Sequence, residues 1–276
     1  MNKTKITPVK KRTVPKYPDQ YSVQLNHLLL ANKPLRWKAV PVAGTVLSAV
    51  VMLGLAGCTD KPVTMGDPAP PPFQTPFFEH GSGIGAYGCV MVTAPVFLSE
   101  DDAFAIIRDE FEKLNMTVVQ GGGTVGNLQI PVIDYKGQIK RTEKKELEFD
   151  FAVQDKNIVM EYVSIRDSSI WRPKDNDGWE SSVSSFNVKE AARTLNNSLN
   201  DMVFGNTHGV FYDPVEYAED PWESVERHEG ESNESYYARV KEARAQLEAE
   251  ARERAVETLR EQVKDFIAWL AAQGII

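Results

Sequence analysis

The order of apolar, polar and proline-rich stretches divides the chain into three parts. A basic stretch at 1–38 leads into an uncharged, apolar stretch at 39–57, and a proline-rich stretch follows at 59–79. Periodic alternation of apolar and polar residues begins near residue 88. This order predicts a leading segment, a linker and one folded domain.

The periodic part predicts an α+β domain. Apolar residues recur every three to four positions after Ser99 and from Val188, so a helix is expected at each place, with Ser99 as an N-cap. Pro131 should place its strand at a sheet edge. Short strands are predicted at 88–93, 116–119 (ended by three glycines), 128–135 and 209–212.

The clearest hairpin is predicted at 147–165. Apolar residues at 147, 149, 151 and 153 alternate with mostly polar ones, which indicates one strand with one buried face. A turn is expected at 155–157. The return strand at 158–165 is apolar on both faces and should be central in the sheet. The segment 168–185 is predicted to be a polar loop.

A long helix is predicted from about residue 235 to 272. Its apolar stripe from Val240 to Leu270 advances about 3.75 residues per step, whereas a left-handed coiled coil needs about 3.5. We therefore expect it to pack on its own domain, most strongly at its C-terminal end. Gly274 is a plausible C-cap. Two ion pairs at i,i+4 spacing are expected, Glu248–Arg252 and Glu250–Arg254.

The fold class is therefore α+β: a small mixed or antiparallel sheet with packed helices and a long C-terminal helix, preceded by a signal segment and a proline-rich stalk. The predicted division is a signal peptide at 1–57, a lipidated linker at 58–80, the α+β domain at 81–231 and the long helix at 232–276.

Charge is distributed unevenly, and this excludes some partners. Residues 1–38 carry nine Lys/Arg and one acid, whereas residues 58–276 carry 22 basic and 38 acidic residues, a net of −16. Phosphate contacts need Lys and Arg, so a nucleic-acid partner is not expected. Anionic lipid headgroups would likewise repel this part of the chain.

The leading segment has the parts of a secretory signal: a basic n-region at 1–38, an apolar h-region at 39–57 and a small-residue ending. It ends in Leu55-Ala56-Gly57-Cys58, which resembles the lipobox of bacterial prolipoproteins. The resemblance implies that Leu55, Ala56 and Gly57 fit the signal peptidase. It also implies that the Cys58 thiol receives a diacylglyceryl group and becomes the new N-terminus. An uncleaved anchor is the alternative, but nineteen apolar residues with many Gly and Ala make a weak span.

The linker and the cysteine content are consistent with an exported, lipid-anchored protein. Six prolines between Pro62 and Pro76 favour an extended spacer, and Phe73, Phe77 and Phe78 suggest that its far end packs onto the domain. The chain has two cysteines, Cys58 and Cys89. With lipid on Cys58 no internal disulfide can form, so the core alone must hold the fold.

The exported part also resembles a set of uncharacterised lipoproteins of gut-type bacteria. The segments that carry this resemblance are GIGAYGCV with APVFLSEDDAF at 83–104, GVFYDP at 209–214 and QVKDFIAWLAAQGII at 262–276. The resemblance implies a lipid-anchored envelope protein and brings no activity with it.

Two catalytic or cofactor motifs can be considered and set aside. Gly83–Gly88 spells G-x-G-x-x-G, but a dinucleotide site needs a preceding strand and a following helix. Cys89 could act as a nucleophile with His80, His208 or His228 as base. Its apolar surroundings in an acidic chain instead indicate a buried, unreactive thiol.

Metal sites are not expected. Residues 175–178 (DNDG) are similar to part of a calcium loop, but Pro173 occupies the first ligand position and no acid follows at 181–186. The histidines lack the spacing of a zinc site. We therefore predict no cofactor, metal or catalytic residue, and one modified residue, Cys58.

Three functional hypotheses follow. The leading one is a lipid-anchored extracytoplasmic module, facing away from the cytoplasm, that binds or scaffolds an envelope protein. The alternative is an extracytoplasmic hydrolase with an unrecognised carboxylate site, which an apolar-walled cleft with converging Asp, Glu or His would favour. A two-lobed ligand-binding protein is a third, for which the domain is small.

Overall fold

A computed structural model describes residues 74–88, 93, 95–134, 136–173, 183–202 and 205–276, with backbone only at 87, 88, 183 and 184. Every described residue lies in one compact unit, Gly66–Ile276. Cys58, Leu55, Ala56 and Gly57, with the signal segment and most of the linker, lie outside the described residues.

Helices and strands alternate irregularly along the described residues, which confirms the α+β prediction. The strands are β1 Ile84–Gly88, β2 Pro95–Val96, β3 Val118–Gln120, β4 Thr124–Ile133, β5 Ile139–Glu148, β6 Phe151–Val153, β7 Ile158–Val163, β8 Val183–Asn187, β9 Thr207–Tyr212 and β10 Glu216–Tyr217. The helices are α1 Glu100–Glu112, α2 Ile165–Ile170, α3 Val188–Asn200, α4 Pro221–Ser224 and α5 Asn233–Ala272.

A four-stranded sheet in the order β3-β6-β7-β9 lies at the centre. Strand β7 pairs antiparallel with β6 and parallel with β9, and all six of its residues are buried. The prediction that the return strand of the hairpin is central is therefore confirmed. Smaller antiparallel pairs are formed by β1 with β8, β2 with β10 and β4 with β5.

The two faces of β7 lie in two different cores, because successive side chains of a strand point to opposite faces. Ile158, Met160 and Tyr162 face a core shared with α1 and α5. Val159 and Val163 face a second core shared with α3 and the β4–β5 pair. The fold is thus layered, with helices α1 and α5 on one side of the sheet and α3 with β4–β5 on the other.

The predicted single strand at 147–153 is wrong, because the chain bends at Phe149-Asp150 and enters a different sheet. Strand β5 pairs with β4, and β6 pairs with β3. The segment Gly121–Gly123, which connects β3 to β4, turns beside this bend. Gly121 and Gly123 have φ of +82° and +81°. The Gly122 N–H donates to the Phe149 carbonyl over 2.7 Å, so the two bends hold each other.

Other local predictions need correction. The first strand runs Ile84–Gly88, upstream of the predicted 88–93, of which 89–92 lie outside the described residues. The polar loop at 168–185 begins inside α2 and ends inside β8. Helix α2 forms because Ser164 and Asp167 make a capping box, which satisfies backbone N–H groups at its start.

The predicted caps at the start of α1 and at the end of α5 are both present, and each is formed by residues close in sequence. Ser99 caps α1, and its side chain and that of Asp102 exchange hydrogen bonds with each other's backbone N–H. At the other end of the chain, Gly274 has φ +68° and follows the C-cap Gln273 of α5. The Ile275 and Gly274 N–H groups donate to the Leu270 and Ala271 carbonyls, the pattern of a Schellman motif.

Helix α5 packs on its own domain, as predicted, with its strongest docking at the C-terminal end. Between Val240 and Ala251 no α5 residue is buried. Beyond that, the buried residues are Ala251, Ala255, Leu259, Gln262, Val263, Phe266 and Leu270. The predicted i,i+4 pairs do not form: Arg252 contacts Asp102 of α1, and Arg254 contacts Glu216 of β10.

Candidate functional site

The end of the proline-rich segment is fastened to helix α3. The Thr75 carbonyl accepts hydrogen bonds from the amide groups of Asn196 and Asn200, both at 3.0 Å, and the Thr75 N–H donates to Asn200 Oδ1 at 2.8 Å. Thr75 is 2% exposed. Both backbone polar groups of this residue are therefore satisfied by side chains, as buried groups must be.

Residues 77–80 continue this attachment. Phe77 stacks on Tyr212 and Phe78 contacts Phe266, which confirms that the far end of the linker packs on the domain. Phe73 lies outside the described residues. The Glu79 carboxylate contacts Lys189 and Arg193 of α3 at 3.0 and 2.8 Å, and these cations lower its pKa. The incoming chain is thus tied to both cores.

Residues 75–80, which we call the junction, are also bound by Gln262 of helix α5. The Gln262 Oε1 accepts from the Tyr212 N–H at 3.1 Å, and its Nε2 donates to the carbonyls of Tyr212 and His80. His80 also contacts Asp265 at 2.7 Å. One buried amide therefore joins the incoming chain, the outer strand β9 and the C-terminal helix.

Carboxylates converge beside the central sheet. Asp150 directly precedes β6 and Glu161 lies in β7, and Asp150 Oδ2 accepts from the Tyr162 N–H at 2.9 Å. Glu161 is 3% exposed, and its Oε2 has no hydrogen-bond partner. Burial raises the pKa of Asp150 to about 7, and burial with the nearby Asp150 charge raises the pKa of Glu161 well above its usual range.

Two further carboxylates complete this group. Asp167 accepts from the Ser164 hydroxyl at 2.7 Å, and burial raises its pKa. Glu100 contacts the exposed Arg166 at 3.4 Å and lies 3.5 Å from the Ser164 hydroxyl. The charge of Arg166 acts to lower the pKa of Asp150 and of Asp167, but burial outweighs it at both carboxyls. Such a set stores electrostatic strain and resembles the environment of a general acid.

Another buried acid, Asp213, has a structural role. Asp213 is fully buried and accepts from the N–H groups of Leu98 and Val215, both at 2.9 Å. Burial raises its pKa to about 7. Val215 has φ +53°, which an L-residue rarely adopts, and the Asp213 hydrogen bond holds it there. This carboxyl shapes the turn after β9.

The carboxylates beside β7 are not among the residues that line a depression beside α4. This depression of about 460 Å³ is lined by Thr93, Glu219, Asp220, Glu223 and Ser224, on and beside α4. A general acid must come within hydrogen-bond distance of its substrate. Nowhere in the described ranges do three or more His, Cys, Asp or Glu side chains converge closely enough to hold a metal ion.

Of the residues that the sequence offered as a thiol site, the structure describes the three histidines. Cys89 and the 175–178 segment lie outside the described residues. His80 pairs with Asp265, His208 is buried in β9 with a pKa lowered to about 4 by burial, and His228 lies in the loop before α5. Of the G-x-G-x-x-G residues, Ile84–Gly88 form β1, which pairs antiparallel with β8.

The structure contains a group of three aromatic side chains, largely exposed, that the sequence did not predict. Trp222 of α4 and Tyr236 and Tyr237 of α5 lie with ring centroids 5.7–6.1 Å apart, and we call them the aromatic patch. Trp222 is 36% exposed and Tyr237 is 56% exposed. The only sequence signal was a dense run of acids with interspersed aromatic residues at 216–237.

Comparisons with protein-family models, with curated proteins and with solved structures give no match to this chain. Among the described residues, no helix combines the length and the apolar character that crossing a bilayer requires.

Proposed function

We propose that this protein is a lipid-tethered extracytoplasmic module that binds a partner at the bacterial envelope and has no catalytic centre. The tether is the lipid that we predict on Cys58 after cleavage behind Leu55-Ala56-Gly57. The observation that carries the proposal is the junction at residues 75–80, where the chain coming from the tether is fastened by buried amide groups.

This junction suits a tethered module. A loosely attached linker would leave the Thr75 and His80 backbone groups to water, whereas here three side-chain amides bind them. Net hydrogen-bond contributions are about 1 kcal/mol each, so the junction resists fraying together with the packing of Phe77 and Phe78. The end of the linker is thereby attached to the domain at residues 75–80.

The anchor is tested by acyl labelling of the full-length protein in cells. Wild type and the Cys58→Ser variant are grown with a clickable palmitate analogue and then fractionated. We expect label and membrane sedimentation for wild type and for the matched Cys89→Ser control, and no label for Cys58→Ser. Continued labelling and processing of Cys58→Ser would refute the proposal.

The hydrolase alternative has one observation in its favour, the raised pKa of Asp150 beside the buried Glu161. A general acid must be accessible to its substrate. A carboxyl that is accessible to substrate is also accessible to a carbodiimide, which couples it to an amine. We expect native protein to be modified at the exposed Glu146 and Glu148 and spared at Asp150 and Glu161. Equal modification of all four would favour the hydrolase.

A further inference from the structure

Hydrogen bonds to Glu231 hold the loop that precedes α5, next to the aromatic patch. The Glu231 carboxylate contacts Arg239 through two hydrogen bonds of 2.9 and 2.7 Å and also accepts from the Ser235 hydroxyl and the His228 N–H. Arg239 lowers the pKa of Glu231 to about 2, so this contact persists at every physiological pH. These contacts join the loop between α4 and α5 to the first two turns of α5, next to the rings of the patch.

A guanidinium group already occupies one side of the patch. The Arg227 Cζ lies 5.4 Å from the Tyr236 ring centroid, and Arg227 donates to the Glu231 carbonyl and to Asn233 Oδ1. The ring of Tyr236 is thus engaged by the chain's own cation. The exposed rings of Trp222 and Tyr237 have no such cation among the described residues. They offer the same chemistry to an external one.

The charge around the patch is strongly negative. Between Glu216 and Glu234 there are eight acidic residues and one basic residue, a net of −7, against −16 for all of 58–276. The exposed acids Glu219, Glu223, Glu226, Glu229 and Glu234 form no ion pair with any residue that the structure describes. Glu219, Asp220 and Glu223 line the depression beside Trp222. The ring of Trp222 and the carboxylates that line the depression are therefore carried by the same short stretch of chain, on and beside α4.

We propose that this surface, the aromatic patch with the adjoining acidic depression, docks an arginine-containing basic segment of another protein; the inference rests on the proposed binding function and names its partner class. Arginine side chains stack on Trp222 and Tyr237, and the carboxylates on and beside α4 attract their positive charge. Trp and Tyr dominate the energetics of many interfaces, and complementary charge speeds association.

Arginine is preferred to lysine by this surface. A guanidinium is planar, stacks on aromatic rings and is more weakly hydrated than an ammonium group. A surface that used charge alone would bind the two equally. The same charge repels nucleic acid and anionic lipid, which leaves a neutral glycan stacked on the rings, or a second copy of this chain, as the other occupants that the test separates.

The test uses full-length protein purified in non-ionic detergent and fluorescent ten-residue peptides of alternating sequence, Arg-Gly, Lys-Gly and Glu-Gly. Fluorescence anisotropy should show binding of the Arg-Gly peptide about tenfold tighter than that of Lys-Gly, from cation–π contacts at two rings. Glu-Gly should not bind. Affinity should fall as NaCl is raised from 50 to 300 mM, because exposed charges are screened.

Variants locate the binding. Trp222→Ala with Tyr237→Ala should weaken Arg-Gly binding about tenfold and remove the preference over Lys-Gly. Glu219→Gln with Glu223→Gln should weaken both basic peptides, whereas the matched pair Glu146→Gln with Glu148→Gln on β5 should leave both unchanged. Circular dichroism checks that each variant is folded.

Several outcomes would overturn the inference. These are equal binding of Arg-Gly and Lys-Gly by wild type, equal weakening by the β5 control pair, and binding of chitohexaose that competes with Arg-Gly. A further one is self-association abolished by the patch variants, which would assign the surface to a second copy. None of these bears on acylation of Cys58, so the anchor and the docking surface fail independently.

Discussion

Gln262 closes the open edge of the central sheet at Tyr212: its side-chain amide accepts from the Tyr212 N–H at 3.1 Å and donates to the Tyr212 carbonyl at 3.2 Å. Strand β9 is the last strand of its sheet, so these backbone groups have no neighbouring strand to pair with. The amide of a helix residue takes the place of that strand, and Gln262 is fully buried.

Replacing Gln262 by Leu should lower the free energy of unfolding by about 2–4 kcal/mol, because buried backbone groups lose their partners. The leucine fills similar space, so little of this loss comes from a cavity. Chemical denaturation measures it. Gln246→Leu is the matched control on the same helix, where the amide is exposed and the change should stay within about 0.5 kcal/mol. Equal effects of the two would contradict this role of Gln262.

Phe266 should be the most costly aromatic residue of α5 to truncate. It is fully buried and its ring contacts Phe78, Phe111, Phe211 and Trp269. Phe266→Ala should reduce the free energy of unfolding by about 3–5 kcal/mol through lost burial and a residual cavity.

Tyr237→Ala is the control for Phe266, since it removes a ring of the same helix that is 56% exposed. Its effect on unfolding should stay within about 0.5 kcal/mol. A cost for Phe266→Ala below about 1 kcal/mol would mean that the C-terminal end of α5 does not hold the fold.

The junction at Thr75 predicts a change in proteolysis. Asn196→Ala with Asn200→Ala removes all three hydrogen bonds to Thr75, so residues 74–80 should detach more often. Chymotrypsin should then cut after Phe77 or Phe78 at least several times faster than in wild type, as mass spectrometry of the fragments would show.

The control for this pair is Asn197→Ala, an exposed residue of the same helix. It should leave the cleavage rate unchanged. Cleavage that rises equally throughout the chain would indicate global unfolding, and an unchanged rate in the double variant would show that the amides do not hold the segment.

Local signals predicted much of this fold, because each involved residues close in sequence. The Ser99 cap, the turn at 155–157 and the apolar stripe of α3 all follow from patterns within one or two turns of chain. Central placement of β7 also followed, since a strand that is apolar on both faces must be covered on both.

The sequence could not reveal features whose partners are distant along the chain. Gln262 is a polar residue next to the apolar stripe, and its partner Tyr212 lies 50 residues away. Glu161 is one polar position in a strand predicted to be buried on both faces, a signal that could have marked it. The strand break at Asp150 was hidden because alternation continues across it. The aromatic patch arises from α4 meeting α5, which no periodicity encodes.

The carboxylates beside β7 predict an unusual pH dependence of stability. The pKa of Asp150 is raised by burial to about 7, and that of Glu161 is raised as well, whereas unfolded Asp and Glu titrate near 4. Between about pH 4 and 7 these two carboxyls therefore hold more protons in the folded state than in the unfolded state. Stability from these groups must fall as pH rises through this window.

Glu161→Gln should flatten this dependence, because the amide keeps the shape of the side chain and carries no charge to bury. We expect the stability of the variant relative to wild type to be higher at pH 8 than at pH 5, by more than about 1 kcal/mol. Denaturant titrations at both pH values measure the difference. The buried His208 acts in the opposite direction below pH 6.5, since its pKa is lowered to about 4, but it is common to both proteins and cancels. The exposed Glu146→Gln serves as control and should show the wild-type dependence. A variant that is equally stable relative to wild type at the two pH values would show that Glu161 is not a buried carboxyl that resists ionisation.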